Sequence, residues 1–464
     1  MSYSLNNRNR ETTGYRWKAY QAGIQLNKRR RQRSRTTVRL LIILVAITLV
    51  ACGLFLSING FALYHSGIPG PRNAAAEREA NTQDLLQDKQ RARSLLDPRM
   101  LINLQEEGFS LVSNGKSLQV ETSLDPALQR YMLKKMDRVN SRFIGIVAAE
   151  PATGRVILLS GFNKQNPDLD PCLDNQYPAA SIFKIVAAAA AVEQCGLTSD
   201  SKMRFNGYAH TLYKRQLKDA DNRYTNHITF RDSFAKSINP VFGKIGTLYL
   251  NKRQLKRYAQ NFGFNQTIDF ELEFPPSHLS IEDAPYNWAE IASGFNNSTT
   301  LSPLHGVLLA AAVANQGELV EPTVIDGIYD ATGETLYRGS PKKLKQAMAP
   351  STAIILNDMM KATVRSGTAR KTFRGYRQDR ILSRLSIGGK TGSIFNRKHD
   401  LRFDWFVGFA EEIKGDKKLA VSVVVAHEEY IGIRAGQYAR MVIWKHFMDY
   451  FSKRDEQKHS HQAG

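Results

Sequence analysis

Cysteine is scarce, three in 464 residues. That is too few for a disulfide scaffold, and no Cys/His cluster has zinc-site spacing. The ten histidines are scattered, and His427-Glu428-Glu429 does not extend to an H-E-x-x-H metal motif. No G-x-S-x-G nucleophile elbow occurs. The run Gly388-Gly389-Lys390-Thr391-Gly392 looks like a phosphate loop, but Arg384 stands where the Walker pattern needs its first glycine. No internal repeat of about 20–50 residues is present. No motif asks for a metal or a cofactor. Acidic residues are also short, 43 Asp and Glu against 64 Lys and Arg, a net charge of +21. With 42% hydrophobic and 23% charged residues, the bulk of the chain is ordinary globular material, long enough for two or three domains.

The positive charge is unevenly placed. Residues 1–40 hold eleven Lys or Arg and one Glu, a net of +10. Directly after this tail, residues 40–58 form the one long uncharged apolar run. As a helix it would cross roughly the 30 Å hydrocarbon core of a bilayer. A basic segment before a single span is the positive-inside pattern. The reading is a basic cytoplasmic tail (1–39), a transmembrane anchor (40–60) and everything later outside the cytoplasm. The membrane accounts for the basic tail, so no nucleic-acid partner is invoked. A cleaved signal peptide and a lipoprotein box at Leu49-Val50-Ala51-Cys52 are the alternatives. The span is longer than a signal core, and apolar residues continue past Cys52. Cys172 and Cys195 fall on the outer side, where disulfides persist. They are a candidate disulfide whose loop of about 24 residues would contribute roughly 3 kcal/mol; the alternative is two separate buried thiols.

Residues 61–115 read as a linker or stalk. It begins rich in Gly, Pro and Ala and continues charged, with Leu85, Leu86, Leu95 and Leu96 suggesting a short amphipathic helix broken at Pro98. The main domain is expected over 116–452, with a solvated flexible tail over 453–464. Asp125 before Pro126 predicts a capped helix start. Residues 142–161 read as two strands turning at Pro151-Ala152-Thr153-Gly154. Residues 181–195 read as a buried helix, and helical patterns cover 228–250 and 304–315. Strand candidates at 384–391, 403–411 and 418–426 precede an amphipathic helix over 437–452. Strands at both ends of a helical middle predict an α+β domain. Its antiparallel sheet takes strands from both ends and is flanked by helices, beside an all-helical subdomain.

With histidine unassigned, a serine nucleophile needs another base. Ser181 and Lys184 open the alanine-rich helix in an S-x-x-K pattern, and residues three apart in a helix bring their side chains together. A lysine acts as a base only if burial or a second cation lowers its pKa. The alanine-rich surroundings supply burial. Lys390, in the chain's single K-T-G, is the candidate second cation. With Thr391 and Ser393 beside it, Lys390 suits a substrate carboxylate, while Gly388, Gly389 and Gly392 leave room for a ligand backbone. S-x-x-K also begins at Ser113, Ser233 and Ser340, and S-x-N recurs from Ser4 and Ser57, so neither tripeptide nor tetrapeptide means much alone. Their order does: Ser181-x-x-Lys184, then Ser237-Ile238-Asn239, then Lys390-Thr391-Gly392.

In that order the motifs resemble the transpeptidase domain of the penicillin-binding proteins, in the superfamily that includes the serine β-lactamases. The resemblance extends over about residues 116–452, through stretches such as 148–161, 299–322 and 404–410. It implies Ser181 as acylated nucleophile, Lys184 as its base and Ser237 as proton relay. It implies Asn239 as a contact for the substrate backbone, and Lys390, Thr391, Gly392 and Ser393 as the carboxylate pocket. The backbone N–H groups of Ser181 and Ser393 would form the oxyanion hole. The implied reaction cross-links D-Ala-D-Ala stem peptides of peptidoglycan outside a bacterial cytoplasmic membrane, with β-lactams as covalent inhibitors and glycosyltransferases as expected partners. Where the family often has G-Q-G, this chain has Gly294-Phe295-Asn296, which leaves the subclass open. A D,D-carboxypeptidase or endopeptidase would use the same residues. A non-catalytic penicillin sensor or scaffold is the rival of another kind. No E-x-x-L-N follows Ser237-x-Asn239, against a class A β-lactamase.

Overall fold

The central element is a five-stranded antiparallel sheet in a computed structural model that describes residues 88–462, with side chains through 457. The predicted tail (1–39), the anchor (40–60) with Cys52, and Leu85 and Leu86 lie outside the described residues. Among the described residues no helix is long and apolar enough to cross a membrane. The sheet strands are β1 (Ser141–Ala149), β2 (Val156–Asn163), β3 (Leu385–Phe395), β4 (Arg402–Glu412) and β5 (Lys418–His427), in the order β3-β4-β5-β1-β2. The sequence expectation therefore holds: strands from both ends of the domain share one sheet, every pair antiparallel.

Both faces of this sheet are buried, which is why its strands read as nearly continuous apolar runs. Along β4, Phe403, Trp405, Val407 and Phe409 enter one core, while Phe406 and Ala410 enter the other. Along β5, Ala420, Val424 and Ala426 alternate with Val421, Val423 and Val425 in the same way. A one-residue register slip would exchange the two sets, so the pairing is strongly specified. One face is covered by α1 (Pro126–Lys135) and by the last helix (Ala435–Gln462). Asp125 caps α1 by accepting the N–H groups of Ala127 and Leu128, as its position before Pro126 predicts.

The other face carries the helical layer. α2 (Lys184–Cys195) follows a short 3-10 turn (Ala180–Phe183) and ends at Gly196 in the left-handed conformation. Ala187 to Ala191 of α2 are fully buried, their small side chains letting neighbouring helices approach closely. The expected helix over 228–250 is broken into α3 (Phe230–Ala235) and α4 (Asn239–Lys244) with a π turn after it. The break falls at Ser237, which is left-handed at φ 57°, just before Pro240 in the first turn of α4. α5 (Pro285–Ser293), α6 (Pro303–Ala314) and α7 (Pro350–Arg365) join this layer with a further helix over Lys252–Asn261, and α8 is the final Ala435–Gln462.

Two expected boundaries move. Residues 88–115 are not a free stalk. Ala92 and Leu101 are fully buried, Lys89 donates to the Pro322 carbonyl at 2.8 Å, and strand Gly108–Ser113 pairs with Lys116–Thr122. Intermittent leucines in a charged segment are what a docked helix shows as well as a stalk. The final helix runs on through 453–462, beyond the end that its apolar pattern predicts. Lys453, Arg454, Glu456 and Gln457 continue the helix because they are good helix formers, and Arg454 pairs with Glu412 at 2.7 Å.

Candidate active site

Ser181 sits in the 3-10 turn that leads into α2. The turn is held in place by a close approach: Gly294, left-handed at φ 66°, caps the end of α5 and lies against the Ala180 carbonyl. A Cβ at Gly294 would overlap that oxygen, so only glycine fits. The same contact brings the C-terminal carbonyl of α5 into the site. Lys184 Nζ donates to the Ser293 carbonyl at 2.5 Å and lies 2.8 Å from both Ser181 Oγ and Asn239 Oδ1.

The remaining motif residues converge on Ser181. Ser237, at the α3–α4 break, places its Oγ 3.0 Å from Ser181 Oγ. Its left-handed backbone costs about 1–2 kcal/mol for an L-residue, which the flanking helices sustain. Lys390, on β3, donates from Nζ to Ser237 Oγ and to the Thr391 carbonyl, each at 3.0 Å. A continuous hydrogen-bonded path therefore runs Lys184–Ser181–Ser237–Lys390. It joins segments 56 and 153 residues apart.

Both lysines are fully buried, and neither pairs with a carboxylate among the described residues. Burial pushes the Lys184 ammonium well below the usual lysine range, and the Lys390 charge pushes it further the same way. Burial brings Lys390 down to about 7. Phe242 and Phe234 lie 5.5 Å under the Lys184 and Lys390 ammonium groups, offsetting part of the desolvation of the charged forms.

The site opens into a cleft of about 480 Å3. Ser181, Ser237, Asn239, Thr391, Gly392 and Ser393 all line it, while Lys184 and Lys390, fully buried, lie behind this lining rather than on it. Gly392 faces the Ser181 turn closely: a Cβ there would come 3.2 Å from Ala180 Cβ. The other S-x-x-K serines are elsewhere, among them Ser199 (before Lys202), whose hydroxyl lies 3.3 Å from Asp358 Oδ2. Ser113 ends a strand next to a tight turn, Ser340 lies in a loop, and Ser233 is buried with its hydroxyl spent on the Phe230 carbonyl.

Cys172 and Cys195 are not joined: both thiols are free. Cys172 is buried against the sheet, its Sγ donating to the Ser160 carbonyl at 3.3 Å. Cys195, at the far end of α2, donates to the Tyr249 carbonyl at 3.3 Å. α2 carries Cys195 along its own axis away from its N-terminal turn, while Cys172 stays pinned to β1 and β2.

Some cleft residues carry no sequence motif. The His210 carbonyl accepts from Asn239 Nδ2 at 3.0 Å, and His210 lines the cleft. Burial and the two nearby lysines hold its imidazole below the usual pKa. Thr368 meets Thr391 through their hydroxyls at 2.5 Å, and Arg402 Nε donates to Ser393 Oγ at 2.9 Å. Ser293 and Gly294 carry one faint signal, a glycine following a helical pattern; the others carry none.

Comparison with known proteins supplies the context for this geometry. A family profile described as "Penicillin binding protein transpeptidase domain" matches residues 144–449, about two thirds of the chain. The stage V sporulation protein D of Bacillus subtilis is 24% identical over 338 residues, covering 66% of this chain and 49% of that protein. The peptidoglycan D,D-transpeptidase PbpA of Mycolicibacterium smegmatis is 24% identical over 321 residues, covering 60% of this chain and 61% of PbpA. The chain thus spans about half to three fifths of the length of these curated relatives. Among solved structures, penicillin-binding protein A of M. tuberculosis as its imipenem acyl-enzyme superposes with a TM-score of 0.57 at 20% identity. That match covers 70% of this chain and 78% of the other. The transpeptidase domain from Eggerthella lenta gives 0.57 at 23%, covering 70% and 81%. These likenesses establish the fold.

Proposed function

The chain belongs to the penicillin-binding protein transpeptidase family, and from that premise we propose that it is a membrane-anchored D,D-transpeptidase. It would cross-link peptidoglycan stem peptides through an acyl-Ser181 intermediate. The single observation that supports this best is the path Lys184–Ser181–Ser237–Lys390, with two buried lysines and no carboxylate partner among the described residues.

Neutral Lys184 accepts the Ser181 proton, and Oγ attacks the carbonyl carbon of the penultimate D-alanine. The backbone N–H groups of Ser181 and Ser393 stabilise the oxyanion. The peptide C–N bond then breaks, and the departing D-alanine amine takes a proton delivered from Lys184 through Ser237. The amine of a second stem peptide attacks the ester. A new amide forms, the ester C–O bond breaks, and the proton lost by that amine returns to Ser181. Lys390, Thr391, Gly392 and Ser393 hold the terminal carboxylate of the donor, and Asn239 meets its backbone. A β-lactam would follow the same first step. Its amine stays tethered after ring opening, so the acyl-enzyme persists. The apolar run 40–58 would hold the domain at the outer face of the cytoplasmic membrane, beside the glycosyltransferases that make the glycan strands.

The test is to label the full-length protein in membranes with fluorescent penicillin. A persistent adduct on the wild type that disappears in Ser181→Ala is expected. No adduct on the wild type overturns the reading. With a D-Ala-D-Ala donor and an added amine acceptor, cross-linked product is expected; hydrolysed donor alone marks a carboxypeptidase instead.

A further inference from the structure

A second cavity carries a charge that acylation does not use. Between α7 and β3, residues 366–384 run as a series of turns. Arg370, Lys371, Arg374 and Arg377 line a cavity of about 590 Å3 there, together with Phe373 and Tyr376. All four cations are exposed, and none forms an ion pair among the described residues. The segment's one carboxylate, Asp379, is occupied by the N–H groups of Ile381 and Leu382. Four neighbouring like charges with no carboxylate among them make a local positive field that attracts an anion.

These cations stand on anchored backbone. The Phe373 ring is buried, its centroid 5.6 Å from that of Phe406 on β4. Arg440 of α8 donates from Nη1 to the carbonyls of Thr372 at 2.8 Å and Arg374 at 3.0 Å. The segment is also continuous with the catalytic cleft. Thr368 and Thr372 line that cleft, while Lys371 and Phe373, on either side of Thr372, line the cationic cavity. Guanidinium forks suit carboxylates, and the aromatic lining suits the apolar part of a peptide. The hollow form and the shared wall fit a peptide extending from the cleft better than a flat lipid surface.

We propose that this cavity binds the carboxylates of the second, acceptor stem peptide and so delivers its amine to the acyl-enzyme. The inference rests on the transpeptidase reading above.

The test compares the full-length wild type with R370Q/K371Q/R374Q/R377Q. Cross-linking is measured with a D-Ala-D-Ala donor and an acceptor stem peptide bearing free or amidated carboxylates. The variant is expected to raise the KM for the free-carboxylate acceptor about tenfold, with the rate of acylation by fluorescent penicillin unchanged. Amidating the acceptor should abolish the difference, and added salt should weaken the wild type towards the variant. An unchanged acceptor KM in a normally acylated variant overturns the inference. So does loss of binding to anionic phospholipid vesicles with acceptor KM intact, which would make the patch a membrane contact. A wild type that penicillin does not acylate overturns the transpeptidase reading instead, so the two failures are distinct.

Discussion

Lys184 Nζ lies 2.8 Å from Asn239 Oδ1, and Asn239 is oriented by its Nδ2 donating to the His210 carbonyl at 3.0 Å. A carbonyl only accepts, so the His210 contact fixes which end of the amide faces the lysine. The Ser293 carbonyl is a second obligate acceptor for Lys184. A neutral lysine amine therefore spends both N–H groups on Asn239 and Ser293, and its lone pair is left to face the Ser181 hydroxyl. Burial that favours the neutral form and acceptors that orient it would act together on the proposed proton transfer.

Asn239→Asp would put a carboxylate where Lys184 now meets an amide oxygen. A negative neighbour favours the ammonium, so the lysine pKa rises and less neutral base is present. Acylation by penicillin should fall about tenfold or more at pH 7, with part of the rate recovered at higher pH. An unchanged pH–rate profile of acylation would contradict the role given to this contact.

Lys390→Met should act on the same limb from the other side. The Lys390 charge helps hold Lys184 down, so removing it raises the Lys184 pKa. The rise of acylation with pH then moves to higher pH. Lys390→Arg keeps the positive charge and should leave that limb in place even where the maximal rate falls. Stopped-flow acylation across pH for both variants separates charge from the loss of the Ser237 contact.

Burying these lysines also links stability to pH. Lys390 stands near 7 in the fold against a usual 10.5, and Lys184 is depressed in the same direction. Between those values the unfolded chain binds the proton and the folded chain does not, so stability rises with pH from about 7 towards 10. Below that window both states are protonated and the full penalty of a buried charge remains. The Tm difference between wild type and Lys390→Met should therefore move in the wild type's favour as pH rises through this window. A pH-independent difference would contradict it.

Gly294→Ala is expected to damage the site without touching a motif residue. The new Cβ would collide with the Ala180 carbonyl at a left-handed position. A loss of about 2–4 kcal/mol in denaturant unfolding is expected, with slowed acylation as the Ser181 turn shifts. Full stability together with full acylation would show that the turn does not depend on this contact.

The free state of Cys172 and Cys195 is open to a direct check. Reducing agent should leave Tm and gel mobility unchanged, and denatured protein should react with thiol reagent at both positions. Protection of both thiols until reduction would restore the disulfide that their spacing suggests.

The strands and α1 are legible in the sequence because their signals are local. The apolar run within β5 (Lys418–His427) marks a strand buried on both faces, and Asp125-Pro126 is a helix start wherever it stands. The break near Ser237 is partly legible: apolar periodicity continues across 228–250, but Pro240 marks a change from helix to turn there. The Asn239 N–H, 2.7 Å from the Ala209 carbonyl, then holds the break in place. The docked segment 88–115 reads as a stalk because its anchoring partners, such as Phe270 and Pro322, lie far along the chain. His210 and Arg402 escape a sequence reading because they contribute a carbonyl and a guanidinium at positions that no short pattern marks.

By itself the sequence determined the candidate site groups and their order. Ser181 and Lys184 meet because residues three apart at a helix start share one side, and that needs no distant contact. What only the tertiary structure decided is the state of those groups. Lys184 and Lys390 lose their water because helices and strands from separate parts of the chain close over them, and desolvation is a property of that packing. The orientation of Asn239, the glycine contact that sets the Ser181 turn and the separation of Cys172 from Cys195 follow from the same assembly.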